Sequence, residues 1–193
     1  MRMRFSSWPG TVAHLVTVTA ILAVLVHLIV VLLVPQVAER GAFARLKPLG
    51  EPNVTILLPR AGPSERALPY GDPAIAVAFC RFDLASGPVR VSAPAGRAFA
   101  SLSFQTRQAQ AFYALTDRAA TQGVIEAVLA TPEDIRGLEA IDSEEDPSHD
   151  LRVPAPDREG VVVFRVFSEE PSLYPGAEEQ AKQLTCKTEP LPR

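Results

Sequence analysis

Residues 11–34, TVAHLVTVTAILAVLVHLIVVLLV, decide the architecture because these 24 residues include no Lys, Arg, Asp or Glu. At 1.5 Å per residue they form about 36 Å of helix, which is enough to cross a hydrocarbon core of about 30 Å. The buried core helix of a soluble protein would be shorter and would show a polar stripe. The sequence therefore predicts a transmembrane helix at residues 11–34, preceded by a cytoplasmic tail at residues 1–10.

A cleaved signal peptide is the alternative, because Arg2 and Arg4 precede the apolar stretch. The apolar region of a signal peptide has about 7–15 residues and is followed closely by a small-x-small cleavage site. Here the apolar run is longer, and the nearest candidate site, Ala42-Phe43-Ala44, lies well past its end. These features favour an uncleaved anchor.

The orientation of the anchor does not follow from a count of basic residues. Arg2 and Arg4 favour a cytoplasmic N-terminus, but Arg40, Arg45 and Lys47 flank the other end. Long domains translocate largely regardless of their charge, and both cysteines fall in the part that follows the helix. We therefore predict a cytoplasmic N-terminus and a C-terminal domain on the outer side of the cytoplasmic membrane.

Two histidines, His14 and His27, lie inside the apolar stretch. Their spacing puts them about 220° apart around a helix, so they cannot form one site on a single helix. Each is either a tolerated polar residue or a group that faces a partner helix.

The rest of the chain has the size of one domain. If about 35 of the 193 residues lie in or before the membrane, roughly 155 remain. Residues 35–50 are predicted to be a stalk, ended by Pro48 and Gly50, and residues 51–193 a soluble domain. Without Arg2 and Arg4 the chain has 19 − 2 = 17 basic and 22 acidic residues, a net charge near −5 that argues against a nucleic-acid surface.

The soluble part shows many short β-like runs and two helical segments. Residues 74–84 are apolar on both faces, which is typical of a strand covered on two sides. Thr131-Pro132-Glu133-Asp134 is a helix start, and a second helix is predicted from about residue 175 to residue 186. The pattern predicts a mainly-β domain, a sandwich or jelly-roll-like barrel, with about two helices. The predicted strands are residues 54–58, 74–84, 89–93, 98–106, 110–116, 124–130 and 160–167.

Recognised catalytic and metal-binding motifs are missing from the sequence. No glycine-rich phosphate loop, GxSxG elbow or HExxH occurs. His149 is the one histidine outside the apolar stretch, and the acidic residues around it lack the ligand spacing of an EF-hand, so both are interpreted as parts of a charged loop. We expect no metal, no cofactor and no catalytic residue, although an enzymatic role stays open.

Cys80 and Cys186 are 106 residues apart, which excludes a CxxC redox or metal pattern. In an oxidising compartment a disulfide between them would clamp the C-terminal helix to the long strand. Two unpaired buried thiols are the alternative.

The order of several motifs resembles a known family. These motifs are VPQVAERGAFARL from Val34, TILLPRAGP from Thr55, LPYGDPAIAVAFCRFDL from Leu68, FASLSFQTRQAQAFYALTDRAA from Phe99, and VLATPEDI from Val128, followed by a C-terminal cysteine. They resemble the small membrane-anchored members of the family catalogued as domain of unknown function 1254.

The resemblance implies a bacterial envelope protein with a β-sandwich-like domain. With the orientation predicted above, the helix is expected in the inner membrane and the domain in the periplasm. It also implies a partner from the related family numbered 1214, and it implies no established activity. One departure is the turn FQTRQA at residues 104–109, where relatives tend to have an aromatic-Asp-x-x-Gly hairpin.

Two functions from different classes follow. The first is an interaction module, in which the tether holds the domain near the membrane and one face binds a partner protein. The second is a binding protein, carrier or enzyme acting on an envelope lipid, glycan or small molecule. Its candidate polar residues lie near strand ends, where each is also explained as a turn cap or a surface ion pair: Arg60, Asp72, Arg81, Asp83 and Asp117.

Overall fold

The computed structural model describes residues 8–37, 42–62, 71–141 and 150–190, and divides the chain into two compact units, Met1–Glu39 and Arg40–Arg193. The first unit is the helix α1, Trp8–Val37. Its segment Gly10–Val34 is exposed around the whole helix and is the one span among the described residues that is long and apolar enough to cross a membrane. A membrane anchor and a signal sequence both fit this helix.

The second unit holds nine strands and three α-helices among the described residues. The helices are α2, Ala42–Leu46; α3, Pro132–Ile141; and α4, Tyr174–Lys182. The strands are β1, Thr55–Leu57; β2, Ile75–Asp83; β3, Val89–Pro94; β4, Ala100–Thr106; β5, Ala111–Thr116; β6, Val124–Ala130; β7, Arg152–Pro154; β8, Glu159–Phe167; and β9, Thr185–Thr188.

The strands form two sheets that enclose a common core. Sheet A has the order β1-β2-β8-β4-β5 and is antiparallel throughout, and sheet B has the order β7-β6-β3-β9. The inner faces pack together through large buried side chains, Phe82, Phe104 and Phe164 from sheet A with Ile125 and Leu129 from sheet B. Fully burying each such side chain contributes about 1.5–3 kcal/mol. The mainly-β, sandwich-like fold predicted from the sequence is confirmed.

Strand β2 is covered on both faces, as the apolar run at residues 74–84 predicts. Ala78 and Cys80 point into the core between the sheets. Phe79 lies on the opposite, outer face of sheet A, in a second cluster with Phe43 and Leu46 of α2. The segment predicted to be a stalk therefore contains a short helix that packs on the domain.

Gly160 lies on β8 opposite Thr106 of β4 and Phe82 of β2. A Cβ atom at this position would overlap the backbone oxygen of Gln105 and the ring of Phe82. Only glycine leaves this space free, so the close approach of β8 to Gln105 and Phe82 depends on it.

The start of α3 and the hairpin of β4 and β5 agree with the sequence patterns. Thr131 caps α3, because its Oγ1 accepts a hydrogen bond from the backbone N–H of Asp134 at 3.1 Å. Strands β4 and β5 pair antiparallel across the turn at residues 107–110.

The predicted C-terminal helix is wrong at its end. Helix α4 stops at Lys182, and Cys186 lies in β9, which pairs antiparallel with β3. From Leu184 to Cys186 buried and exposed residues alternate, and this two-residue period fits a strand better than a continued helix. Strand β7 was not predicted, because its residues Arg152, Val153 and Pro154 include a charge and a proline and form no apolar run. The acidic segment 142–149, with His149, lies outside the described residues.

Candidate functional site

Arg60 and Asp72 meet at the corner where β2 begins. Nε of Arg60 donates a hydrogen bond to the carbonyl oxygen of Pro73 at 2.9 Å, and Oδ1 of Asp72 accepts one from the N–H of Ala74 at 2.8 Å. The guanidinium carbon of Arg60 also lies 4.1 Å from the centre of the Tyr174 ring. These contacts shape the turn and hold the first residue of α4 through a cation–π interaction.

Arg81 and Asp83 lie at the other end of β2, roughly 20 and 27 Å from its first residue at about 3.4 Å per residue. Nη2 of Arg81 donates to the carbonyl oxygen of Gly50 at 2.9 Å, and the backbone N–H of Asp83 donates to Oδ1 of Asn53 at 3.1 Å. Oδ1 of Asp83 caps the short helical turn that follows by accepting the N–H of Ala85 at 2.9 Å. Both side chains therefore support local turns.

Asp117 follows β5 at the opposite edge of sheet A from β1 and begins the 3₁₀ helix Asp117–Ala119. Its Oδ1 is buried and has no hydrogen-bond partner within the described ranges. The five polar residues proposed from the sequence are thus spread over two ends of β2 and a distant edge. They do not converge on one place within the described residues, and a ligand role for any of them stays a prediction.

A disulfide bond joins the two sheets. Cys80 of β2 and Cys186 of β9 are bonded, with their Cα atoms 6.6 Å apart, and both are buried in the common core. The partner of the long strand is therefore a strand of sheet B rather than the C-terminal helix. The bond closes the sandwich across its core.

A small cavity lies on the outer face of sheet A beneath α2, and we refer to it as the outer-face cavity. Its volume is about 40 Å³, the space of roughly three or four water molecules at about 10–15 Å³ each. Phe43, Leu46 and Val163 are among its apolar walls, and Gln105 and Arg165 supply polar atoms. An apolar-walled pocket with few polar groups is the usual form of a small-molecule site.

Arg165 is the charged residue of this cavity. It lies on β8 opposite Val77 of β2 and Ser101 of β4, and it is half-buried. Burial lowers the pKa of Arg165, although an arginine side chain stays protonated at physiological pH. Its Nη1 donates a hydrogen bond to Oγ of Ser103 at 3.0 Å, and it forms no ion pair with any described carboxylate.

The hydroxyl of Ser103 organises the polar side of the cavity. It accepts hydrogen bonds from Arg165 and, at 3.4 Å, from Nε2 of Gln105, and it can donate to the carbonyl oxygen of Val163 at 3.4 Å. One donor and two acceptor positions are what a hydroxyl provides, so Ser103 is fully used. The arrangement fixes the guanidinium of Arg165 on one side and leaves its other N–H groups without a partner among the described residues.

Sequence reasoning also missed an ion-pair cluster on sheet B. Arg90 of β3 pairs with Glu126 at 3.0 Å, with both oxygens of Asp150 at 3.0 and 2.8 Å, and with Glu189. Hydrogen bonds to Asp150 and Glu189 raise the pKa of Arg90. The cluster ties β3 to the residues before β7 and after β9.

No group of three or more His, Cys, Asp or Glu in the described part of the chain is placed to hold a metal ion.

The comparisons with known proteins are consistent with this architecture. The chain resembles the crystal structure of the VPA0106 protein from Vibrio parahaemolyticus, with a TM-score of 0.54, 14% identity, and coverage of 81% of this chain and 39% of that one. A second crystal structure, of an uncharacterised protein from Burkholderia cenocepacia, gives a TM-score of 0.44 and 16% identity, with coverage of 82% of this chain and 42% of that one. This chain thus spans about two fifths of the length of these proteins.

Among curated proteins, none matches the chain. A family model described as "Protein of unknown function (DUF1254)" matches residues 52–188, which is well over half of the sequence and includes all the strands of both sheets. The chain therefore belongs to the DUF1254 family, the domain of unknown function 1254 that its motifs resemble.

Proposed function

We propose that the protein is a binding module of the bacterial cell envelope, held in the inner membrane by α1 with its N-terminus in the cytoplasm and its β-sandwich in the periplasm. The observation that carries the proposal is the exposure of every side chain from Gly10 to Val34, all of them uncharged. Apolar area left in water costs about 25 cal/mol per Å², and a hydrocarbon core removes this cost.

Two features of the sandwich support a place outside the cytoplasm and a role in binding. A disulfide between two buried cysteines persists in oxidising compartments such as the periplasm. The outer-face cavity combines apolar walls with one guanidinium, which suits recognition of a ligand.

The experiment separates an anchor from a signal peptide and measures orientation. Membranes are washed with alkaline carbonate, and the molecular mass of the retained protein is measured by intact mass spectrometry. Single cysteines are then introduced as Ser7→Cys, before α1, or as Glu178→Cys, on α4, and spheroplasts are treated with an impermeant maleimide. The native cysteines are bonded to each other, so they do not react.

We expect a full-length chain in the carbonate pellet, with labelling of Glu178→Cys but not of Ser7→Cys until the spheroplasts are lysed. A shortened chain in the supernatant would exclude the anchor. Labelling of Ser7→Cys in intact spheroplasts would reverse the orientation.

A protein partner is the second candidate, favoured by an exposed apolar patch at one end of sheet A. Phe99, Phe167 and Leu173 are 55%, 39% and 55% exposed, and the N–H of Phe167 donates to the carbonyl oxygen of Phe99 at 2.9 Å. The proposed partner is a membrane protein of the related domain of unknown function 1214 family. Phe99→Ser should abolish its co-purification with the co-expressed chain, and Tyr113→Ser, a matched exposed aromatic residue, should not. Equal retention by both variants would exclude this patch as the interface.

A carrier or enzyme acting on an envelope lipid, glycan or small molecule is the alternative function for the outer-face cavity. It would use the outer-face cavity for its substrate, since this cavity is where the described residues combine an uncompensated charge with apolar walls. Turnover of a bound compound would separate an enzyme from a binding module.

A further inference from the structure

We propose that the outer-face cavity binds the carboxylate of an acid with an apolar body, such as a fatty acid, and that the carboxylate pairs with Arg165. The inference rests on the proposed binding function and names the class of ligand. Its elements are an arginine without a counter-ion, a cavity of head-group size and an apolar cover.

The first step is the missing counter-ion. Arg90 is also only partly exposed, with 29% of its side chain accessible, and it is matched by three carboxylates. Arg165 has one neutral hydroxyl, Oγ of Ser103, and no carboxylate in the described part of the chain. Because a partly buried charge is costly unless it is paired, this position favours an anion from outside the domain.

The second step is the geometry of the donors. A guanidinium presents N–H groups in a planar fork that matches the two oxygens of a carboxylate. Nη1 of Arg165 donates to Oγ of Ser103, and Gln105 donates to the same oxygen, which leaves Nε and Nη2 of Arg165 for a ligand. Arg165 is one of the residues that line the cavity.

The third step is size and surroundings. A cavity of about 40 Å³ holds a group of three or four heavy atoms, which fits a carboxylate. Walls such as Val77, Phe79 and Val163 provide nothing that replaces the water around a free inorganic ion. An apolar body gains from contact with the same walls and with Phe43 and Leu46 of α2, which also line the cavity.

The test measures binding to the full-length, disulfide-bonded chain in micelles of a non-ionic detergent. Unfolding temperature is followed by far-UV circular dichroism as sodium laurate, dodecanol or sodium acetate is added at equal concentrations. Arg165→Gln removes the proposed partner. Arg118→Gln, an exposed arginine on the 3₁₀ helix after β5, removes the same charge elsewhere.

Laurate should raise the unfolding temperature of the wild-type chain and of Arg118→Gln, and its apparent affinity for Arg165→Gln should fall by about tenfold or more, the usual effect of losing a charge-assisted hydrogen bond. Arg165→Lys keeps the charge without the fork and should weaken binding to a lesser degree, which provides a second variant if Arg165→Gln does not fold. Dodecanol and acetate should have little effect.

Three results would overturn the proposal. They are an equal response to dodecanol, an unchanged laurate affinity in Arg165→Gln or Arg165→Lys, and a response to acetate as large as that to laurate, which would identify a site for free carboxylates without an apolar body. The measurement does not depend on which side of a membrane the domain occupies. Failure here would leave the tether intact, and release of the chain by carbonate would leave the laurate result intact.

Discussion

Reduction of the Cys80–Cys186 disulfide should destabilise the sandwich strongly. The bond closes a loop of 106 residues in sequence separation, and cross-linking a loop of about 100 residues removes chain entropy worth about 4.7 kcal/mol at 25 °C in the unfolded state. For a domain of roughly 150 residues, each kcal/mol shifts the unfolding temperature by about 2–4 °C. The reduced protein should therefore unfold about 10–20 °C below the oxidised protein.

The assay compares the full-length chain in micelles with and without a phosphine reductant, using far-UV circular dichroism of the β-sandwich. Reduction keeps both sulfur atoms in the core, so the shift reports the cross-link rather than a change of packing volume. The double variant Cys80→Ala, Cys186→Ala should fall at or below the reduced wild type, since each substitution also removes a buried sulfur atom. Alkylation without reductant should add no mass to protein purified from native membranes. A shift below about 3 °C, or two freely alkylated thiols, would refute the reasoning.

The remaining predictions concern packing and charge, and unfolding of the full-length chain by heat or urea tests the first two. Gly160→Ala should lower the free energy of unfolding by about 1–3 kcal/mol, because its Cβ would overlap the backbone oxygen of Gln105 and the ring of Phe82. Gly137→Ala on α3, with open space around it, should raise the free energy of unfolding by about 0.5–1 kcal/mol. Equal changes in the free energy of unfolding for the two variants would contradict the lack of space for a Cβ atom at Gly160. Arg90→Gln should lower the free energy of unfolding by about 1–2 kcal/mol, because it leaves three carboxylates close together without their cation. Lys182 forms only exposed ion pairs on α4, so Lys182→Gln should change the free energy of unfolding by less than about 0.5 kcal/mol. The fragment of residues 51–193 lacks α2, so it should bind a hydrophobic dye and self-associate in size-exclusion chromatography, and a monomeric, dye-free fragment would show that the outer face of sheet A needs no cover.

The parts of the fold that the sequence predicts are those with local signals. Strand β2 is a long run that is apolar on both faces, and α3 begins with a hydroxyl, a proline and two acids. Strands β7 and β9 have three and four residues, and their identity comes from pairing with β6 and β3, which lie far away in sequence. Neither strand contains a run of apolar residues, so β7 was missed and the end of the C-terminal helix was placed too late.

The candidate site was missed for a related reason. In the run GVVVFRVF, Arg165 occupies a position where a strand of a half-exposed sheet normally carries a solvated residue. Its partial burial depends on α2, more than a hundred residues earlier, and on Ser103 of the neighbouring strand. Arg60 and Asp72 stood out because they lie in turns, where polar side chains serve the backbone first. The informative signal was a charge inside an apolar run rather than charges at its ends.

The packing of α2 also bears on whether the N-terminal helix is kept. The nearest small-x-small site, Ala42-Phe43-Ala44, lies inside α2, and Phe43 is buried there against Phe79 and Val163. Cleavage after Ala44 would remove Phe43 from this cluster and leave apolar side chains of sheet A exposed, at a cost of about 25 cal/mol for each Å² returned to water. A signal peptidase site is expected in an accessible, extended segment whose loss the mature domain tolerates. Phe43 instead completes the cover of sheet A, and this packing supports our proposal that the chain retains α1.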